Sequence, residues 1–408
     1  MLFRLSCGFF RRSEIVRGFA AVFVKARAPL GAAPLATRSM HAFVVRCHPR
    51  SSPHSLSSFL PLDSTTSRYV FSSLRVPVPF IPRRAPLCAV QSATPLRAVP
   101  GFSGMLSSSE EANPGLFNWN LAMPIYCDGG GYAGTAGRVQ LPGKGNNSIY
   151  LDGYNVTRTI LADLLAVRGL ASARRVLVAG ASAGGQAVTA WCERVAAMVP
   201  GAVTKCLVDS GIFLDAKDRT GAWHFRQVTK QMTTLHRAQG NDKCMQAEWP
   251  STQWRCFFPQ YTLPFISTPV FLLSPLLDHR ALILGNQIRN DTGYAKQCIS
   301  SILRSTANLT HAMRYSARRN AVAGKIKVCT PEETNAILAA GNMLLTSVKA
   351  IVEKQPTWVA YIPASAAHCY TYFPSYSEVS IQQYSLTNIV ADWALDAQKQ
   401  LRLQGPIV

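Results

Sequence analysis

One five-residue turn constrains this chain more than any other feature. Gly180-Ala181-Ser182-Ala183-Gly184 stands between a β-branched-rich run, Arg175–Ala179, and a stretch, Gly184–Val199, that reads as a helix stopped by Pro200. A strand turning this abruptly into a helix pushes the middle side chain out over the sheet edge. Only small neighbours let the backbone bend so tightly, hence glycines two residues to either side. The helix then aims its first amides at the same point, where they favour developing negative charge. The Ala183 N–H is the natural donor to an oxyanion formed there. The plain alternative is a glycine-rich turn with an incidental serine; the strand and helix around the turn argue for a nucleophile.

From Gly101 onward, strand-like and helix-like segments alternate. Leu121–Tyr126, Arg175–Ala179, Lys205–Val208, Thr268–Leu273 and Trp358–Ile362 read as strands. Thr157–Arg168, Gly184–Val199, Pro331–Glu353 and Tyr384–Lys399 read as helices. Such alternation implies an α/β fold, a mostly parallel sheet flanked by helices. No internal repeat is evident, and no apolar run reaches the ~18–20 residues of a membrane span. No stable membrane span is therefore expected.

A serine nucleophile needs a base within hydrogen-bond reach and a carboxylate to orient that base. Behind a strand–elbow–helix turn these follow in the order Ser, Asp or Glu, His. Downstream of Ser182 lie His224, His236, His279, His311 and His368. His368 fits best, in a turn just after a strand near the C-terminus. Asp278 shortly follows the strand Thr268–Leu273 and can reach it. Asp209, at the end of Lys205–Val208, is the runner-up carboxylate, although a helix or turn cap is its more ordinary role. His279 reads as a surface or packing residue.

Gly129-Gly130-Gly131-Tyr132-Ala133-Gly134 matches the glycine spacing of a dinucleotide loop. A helix would have to open there, and Thr135–Asn147, with Pro142 and several glycines and asparagines, does not offer one. The segment reads as a pocket-lining loop, and no organic cofactor or metal is expected.

The formal net charge is +21, which raises the question of an acidic partner. Residues 1–100 carry 14 Arg and Lys against only Glu14 and Asp63, so more than half of the excess lies there. No aromatic-interleaved basic motif accompanies it, and no nucleic-acid partner is expected. This stretch is rich in Arg, Ser and Pro. It reads as a disordered or targeting segment ahead of a domain over 101–408. Of 11 cysteines, eight lie beyond residue 100, none in a C-x-x-C pair. N-glycosylation sequons start at Asn146, Asn155, Asn290 and Asn308. Cysteines and sequons together favour a secretory or extracellular setting; an organelle transit segment is the alternative reading of the N-terminus.

Several segments, in order, resemble the pectin acetylesterase and Notum family of carboxylesterases. They are Phe102–Ser107 (FSGMLS), Asn113–Asn120 (NPGLFNWN), Tyr126–Gly131 (YCDGGG) and Ala179–Gly185 (AGASAGG). Cys206–Asp215 (CLVDSGIFLD), Cys256–Gln260 (CFFPQ), Thr268–Asp278 (TPVFLLSPLLD) and Ala367–Cys369 (AHC) follow. The resemblance spans about residues 101–400. It implies an α/β-hydrolase-like fold, a Ser182–Asp278–His368 triad and removal of acyl groups from an ester. The ester would be an acetylated polysaccharide or, as in the Notum branch, a lipid ester; an inactive binding or scaffold relative is a third reading. Two departures stand out. The family's Gly-Gly-Gly-Trp-Cys segment, whose amides donate to the oxyanion, has no counterpart, so the sheet is expected to lack the N-terminal strands. Gly129, Gly130 and Gly131 are the substitute candidates for those donors. After the triad acid, Asp278-His279-Arg280 stands where plant members usually carry Trp-Gln nearby.

Overall fold

The computed structural model describes residues 103–124, 126, 128–140, 148–288, 292–305, 329–381 and 384–396, with the strand backbone at 21–27 and 42–45. Cys7, Cys47, Cys88 and Cys127 and the sequons at Asn146, Asn290 and Asn308 lie outside the described residues.

Strands β1 (Ala21–Arg27) and β2 (Ala42–Val45) come first, then β3 (Asn120–Pro124), the small pair β4 (Gly137–Gln140) and β5 (Ser148–Leu151), and helix α1 (Gly153–Val167). β6 (Arg175–Ala181), α2 (Ala183–Met198) and β7 (Val203–Asp209) form a parallel crossover unit. Helices α3 (His224–His236) and α4 (Asp242–Ala247) lead to β8 (Val270–Leu273). Next come α5 (His279–Asn286), α6 (Thr292–Ser305), α7 (Pro331–Val352) and β9 (Val359–Tyr361). A second small pair, β10 (Ser380–Ile381) and β11 (Tyr384–Ser385), and α8 (Leu386–Leu395) follow.

Seven strands pair in the order β2-β3-β1-β6-β7-β8-β9. β6 to β9 are parallel, and β1 runs antiparallel to both β6 and β3. This is an α/β-hydrolase-like arrangement, with helices on a parallel core.

The sheet was expected to lack the family's N-terminal strands; two strands from the segment before residue 101 do join it. β1 pairs with β6 along seven residues, Ala21 opposite Ala181 through Arg27 opposite Arg175, and β2 pairs with β3 at the sheet edge. Ala-Val-Phe-Val and Ala-Phe-Val-Val are short β-branched and aromatic runs suited to a sheet. The arginines and prolines around them dominate the composition and hide that signal.

The central strands are buried on both faces, which parallel strands under helices require. Their side chains alternate between two layers. Val176, Val178, Cys206, Val208, Val270 and Leu272 face the layer of α1, α2 and α7. Leu177, Ala179, Leu207, Phe271 and Leu273 face the layer of α8, with Trp119 and Trp393. A period of two along each strand thus feeds both cores at once. The Cys192–Cys206 disulfide ties α2 to β7, and Cys244–Cys256 and Cys298–Cys329 close local loops.

By length and composition α7 could cross a bilayer. Its buried positions 337, 341, 344, 348 and 352 recur at helical spacing on one face. Leu344, Val348 and Val352 pack there into the layer against the sheet. Its start is fixed by a capping box, Thr330 with Glu333, and by Pro331 in its first turn.

Candidate active site

Ser182 sits between β6 and α2 at φ 58°, ψ −123°, a backbone region that L residues seldom occupy. Two features hold it. Its N–H donates to the Asp209 carbonyl at 2.8 Å, and its carbonyl accepts the Gln186 N–H at 3.0 Å. Beneath the elbow, α2 and the end of β7 approach backbone to backbone at two glycines. A Cβ on Gly185 would lie 2.7 Å from the Asp209 carbonyl oxygen, and one on Gly211 only 2.5 Å from the Gly185 carbonyl carbon. The paired glycines in Ala-Ser-Ala-Gly-Gly and Asp-Ser-Gly are therefore one contact seen from both sides.

The structure brings Ser182, His368 and Asp278 into a hydrogen-bonded row. His368 Nε2 lies 2.8 Å from Ser182 Oγ. His368 Nδ1 lies 2.8 and 3.0 Å from the two Asp278 oxygens. The second nitrogen thus carries its proton toward the carboxylate, which leaves Nε2 as acceptor for the serine. Asp278 also caps α5, accepting the N–H groups of Arg280 and Ala281. Burial alone would raise this carboxyl; the charge and hydrogen bond of His368, with lesser help from the Ala281 N–H, hold it below the usual range.

His279 is buried at 3% exposure, not at the surface. Its ring stands edge-on to that of His368, and its Nδ1 lies 2.8 Å from the Ala366 carbonyl. Burial pushes its pKa down to about 3, so it is neutral and Nδ1 is the donor. Asp209 is fully buried and turns its carboxylate to the segment after His368, accepting the N–H groups of Tyr370 and Thr371. It makes no contact with the imidazole itself and caps that turn, the ordinary reading of the two weighed from sequence.

The glycine loop lies alongside the elbow: a Cβ on Gly131 would sit 3.9 Å from the Ala183 carbonyl oxygen. The amides of Gly130 and Gly131, however, are engaged. Gly130 N–H donates to Asp128 and Gly131 N–H to the Tyr126 hydroxyl. Asp128 also accepts the first amide of α1, from Gly153. The loop thus wraps its own aspartate, which explains glycine spacing without a diphosphate. Gly130 further leaves room for His236, whose Nδ1 would lie 2.2 Å from an added Cβ. Gly130 and Gly131 line a small recess with Gln186, Ala187, Met232 and Phe257, in keeping with a pocket wall. Ala183, first residue of α2, has no helical acceptor for its N–H. Among the described residues no group of three His, Cys, Asp or Glu side chains is placed to hold a metal.

The sequence model of the Pectinacetylesterase family matches residues 89–406. The chain belongs to this family. Pectin acetylesterase 7 of Arabidopsis thaliana is 33% identical over 181 residues, which are 44% of each protein. The palmitoleoyl-protein carboxylesterase NOTUM of Homo sapiens is 29% identical over 196 residues, 45% of this chain and 38% of that protein. In both pairings the chain spans less than half of its relative's length. The crystal structure of the Wnt deacylase Notum from Drosophila superposes with a TM-score of 0.55 at 21% identity. That superposition covers 75% of this chain and 78% of the other, and establishes the shared fold.

Two residues of this site were named from sequence without the contacts that the structure gives them. His279 looked incidental because adjacency to Asp278 says nothing about which way each side chain turns; its signal was a second histidine directly after a strand-end acid. The carboxylate of Asp209 looked like a generic cap, and its tie to a segment 160 residues away has no local signature.

Proposed function

We propose that this member of the pectinacetylesterase family is a serine carboxylesterase with Ser182 as nucleophile, His368 as general base and Asp278 as the carboxylate that orients it. The observation that carries the reading is the continuous row Ser182 Oγ, His368 Nε2, His368 Nδ1, Asp278, with every link at 2.8 Å. His368 takes the hydroxyl proton as Ser182 Oγ attacks the ester carbonyl. The tetrahedral oxyanion accepts from the Ala183 N–H at the positive end of α2. Collapse returns the proton from His368 to the leaving alcohol and leaves an acyl-serine. Water, deprotonated by the same imidazole, then releases the acid. Asp278 holds the tautomer and offsets the imidazolium charge.

The substrate class favoured by the relatives' names is an acetylated polysaccharide. A specific observation supports a longer acyl chain as second reading. Ile212, Phe213, Phe225, Leu276, Leu282 and Leu344 line an apolar cleft that shares a wall with Asp278. The three disulfides among the described residues support an oxidising, exported setting.

Turnover of p-nitrophenyl esters from acetate to decanoate by the full chain, beside Ser182→Ala, tests both readings. A serine-dependent optimum at acetate supports the first, and an optimum at longer chains the second. Turnover that survives Ser182→Ala would sink the mechanism.

A further inference from the structure

One fully buried carboxyl group in the site has no part in the proposed chemistry. Asp209 is 0% exposed at the C-terminal end of β7. Its Oδ2 accepts three hydrogen bonds: Tyr370 N–H at 2.7 Å, Thr371 N–H at 2.8 Å and the Thr371 hydroxyl at 2.9 Å. Its Oδ1 accepts the Ser210 hydroxyl at 2.9 Å, and Ser210 Oγ in turn accepts the Cys369 N–H at 2.8 Å. All of these donors are neutral. Burying a carboxylate without a cation costs several kcal/mol, a cost a simple turn cap such as Ser or Asn avoids.

What the carboxylate holds is the backbone directly after His368. Three successive residues, Cys369, Tyr370 and Thr371, hang from Asp209 and Ser210 by their N–H groups. Cys369 itself sits at φ 69° and Ser210 at φ 51°, both in the left-handed region that non-glycine residues avoid. Such conformations persist only where the surroundings over-determine them. On its other side, the Asp209 carbonyl accepts the Ser182 N–H. One residue therefore joins the elbow carrying Ser182 to the segment carrying His368, two pieces of chain far apart in sequence.

We propose that Asp209 is a positioning residue for the Ser182–His368 pair, acting through the 369–371 backbone and through Ser210. This rests on the esterase reading above. Its side chain sets where the imidazole stands relative to the serine hydroxyl; it does not touch the reacting atoms. Removing one of its bonds loosens the loop and lengthens the Ser182–His368 contact, which slows the chemical step and leaves ester binding nearly unchanged. A misplacement of ~1 Å at such a contact can lower a rate ~100-fold.

Three variants test it. In Asp209→Asn an amide NH₂ faces the Ser210 hydroxyl, turns it around, and replaces the carboxylate with a weaker acceptor for the loop. Thr371→Val removes one hydroxyl donor at constant shape, and Thr371→Ser restores that donor. The full chain is assayed for kcat and KM on p-nitrophenyl acetate, for the rate of Ser182 labelling by a fluorophosphonate, and for melting temperature. Asp209→Asn is expected to lose roughly ten- to a hundredfold in kcat, with KM within threefold and labelling slowed in parallel. Thr371→Val is expected to lose roughly tenfold, and Thr371→Ser to recover most of it. A folded Asp209→Asn protein with kcat within twofold of wild type would overturn the proposal. If that variant fails to fold, equal kcat in the Val and Ser variants overturns it instead. If the wild-type chain turns over no ester, the esterase reading has failed separately. The downfield proton resonance of His368 Nδ1–H then decides: loss in Thr371→Val with retention in Thr371→Ser supports positioning, and retention in both refutes it.

Discussion

The imidazole of His279 stands at 82° to that of His368, with ring centroids 6.0 Å apart. A neutral ring thus stands edge-on to the proposed base. The groups facing it are Asp278, His368, Lys296 and the Ala366 carbonyl. Burial dominates among them and holds its pKa at about 3.

That depression makes stability depend on pH. Between pH 6.5 and about 3 the unfolded chain binds a proton at His279 and the native chain does not. Stability is therefore lost as pH falls through this window, by an amount on the order of a few kcal/mol. In His279→Phe the ring remains and the titration goes. Melting temperature measured from pH 7 to pH 4 should fall less steeply in that variant than in wild type. The variant should also be less stable at pH 7 by about 1–3 kcal/mol, since the Ala366 carbonyl loses its donor. Parallel curves would show that His279 does not supply this slope.

Asp278→Asn keeps the shape of the α5 cap and removes the charge. An asparagine can present its NH₂ to His368, which would favour the wrong tautomer, with the proton on Nε2 facing Ser182. Turnover should fall on the order of 10³–10⁴-fold with the fold intact. A loss below tenfold, with circular dichroism unchanged, would remove Asp278 from the mechanism.

Gly185→Ala and Gly211→Ala each force a methyl into backbone, at 2.7 and 2.5 Å from the nearest atoms. Overpacking of this kind costs about 1–3 kcal/mol. The strain falls directly under Ser182, so the rate of serine labelling should drop along with the melting temperature. A stable Gly211→Ala protein with wild-type labelling would contradict the close approach of α2 to β7.

The parallel core was legible because its strands are short apolar runs bounded by turn residues, and the helices between them carry clear stops. Arg175–Ala181 was seen almost to its ends, as was Pro331–Val352. The sharp turn at Ser182 was legible because glycines at 180 and 184 stand between a strand and a helix. That Asp278 and His368 meet Ser182 was expected from chain order and strand ends, and the three side chains stand in one row. What sequence did not disclose depends on contacts between distant segments. β1 and β2 lie in an arginine- and proline-rich background, and partners for them are chosen only in the assembled sheet. The engagement of the Gly130 amide by Asp128 and of the Gly131 amide by Tyr126 is likewise a matter of loop path, which spacing does not fix.

The most direct test of Ser182 as an activated nucleophile is fluorophosphonate labelling of the folded full chain, with the adduct located by peptide mass spectrometry. A single adduct on the peptide containing Ser182, lost in His368→Ala, is the predicted result. An adduct on another residue, or equal labelling of Ser182 in His368→Ala, would contradict the account.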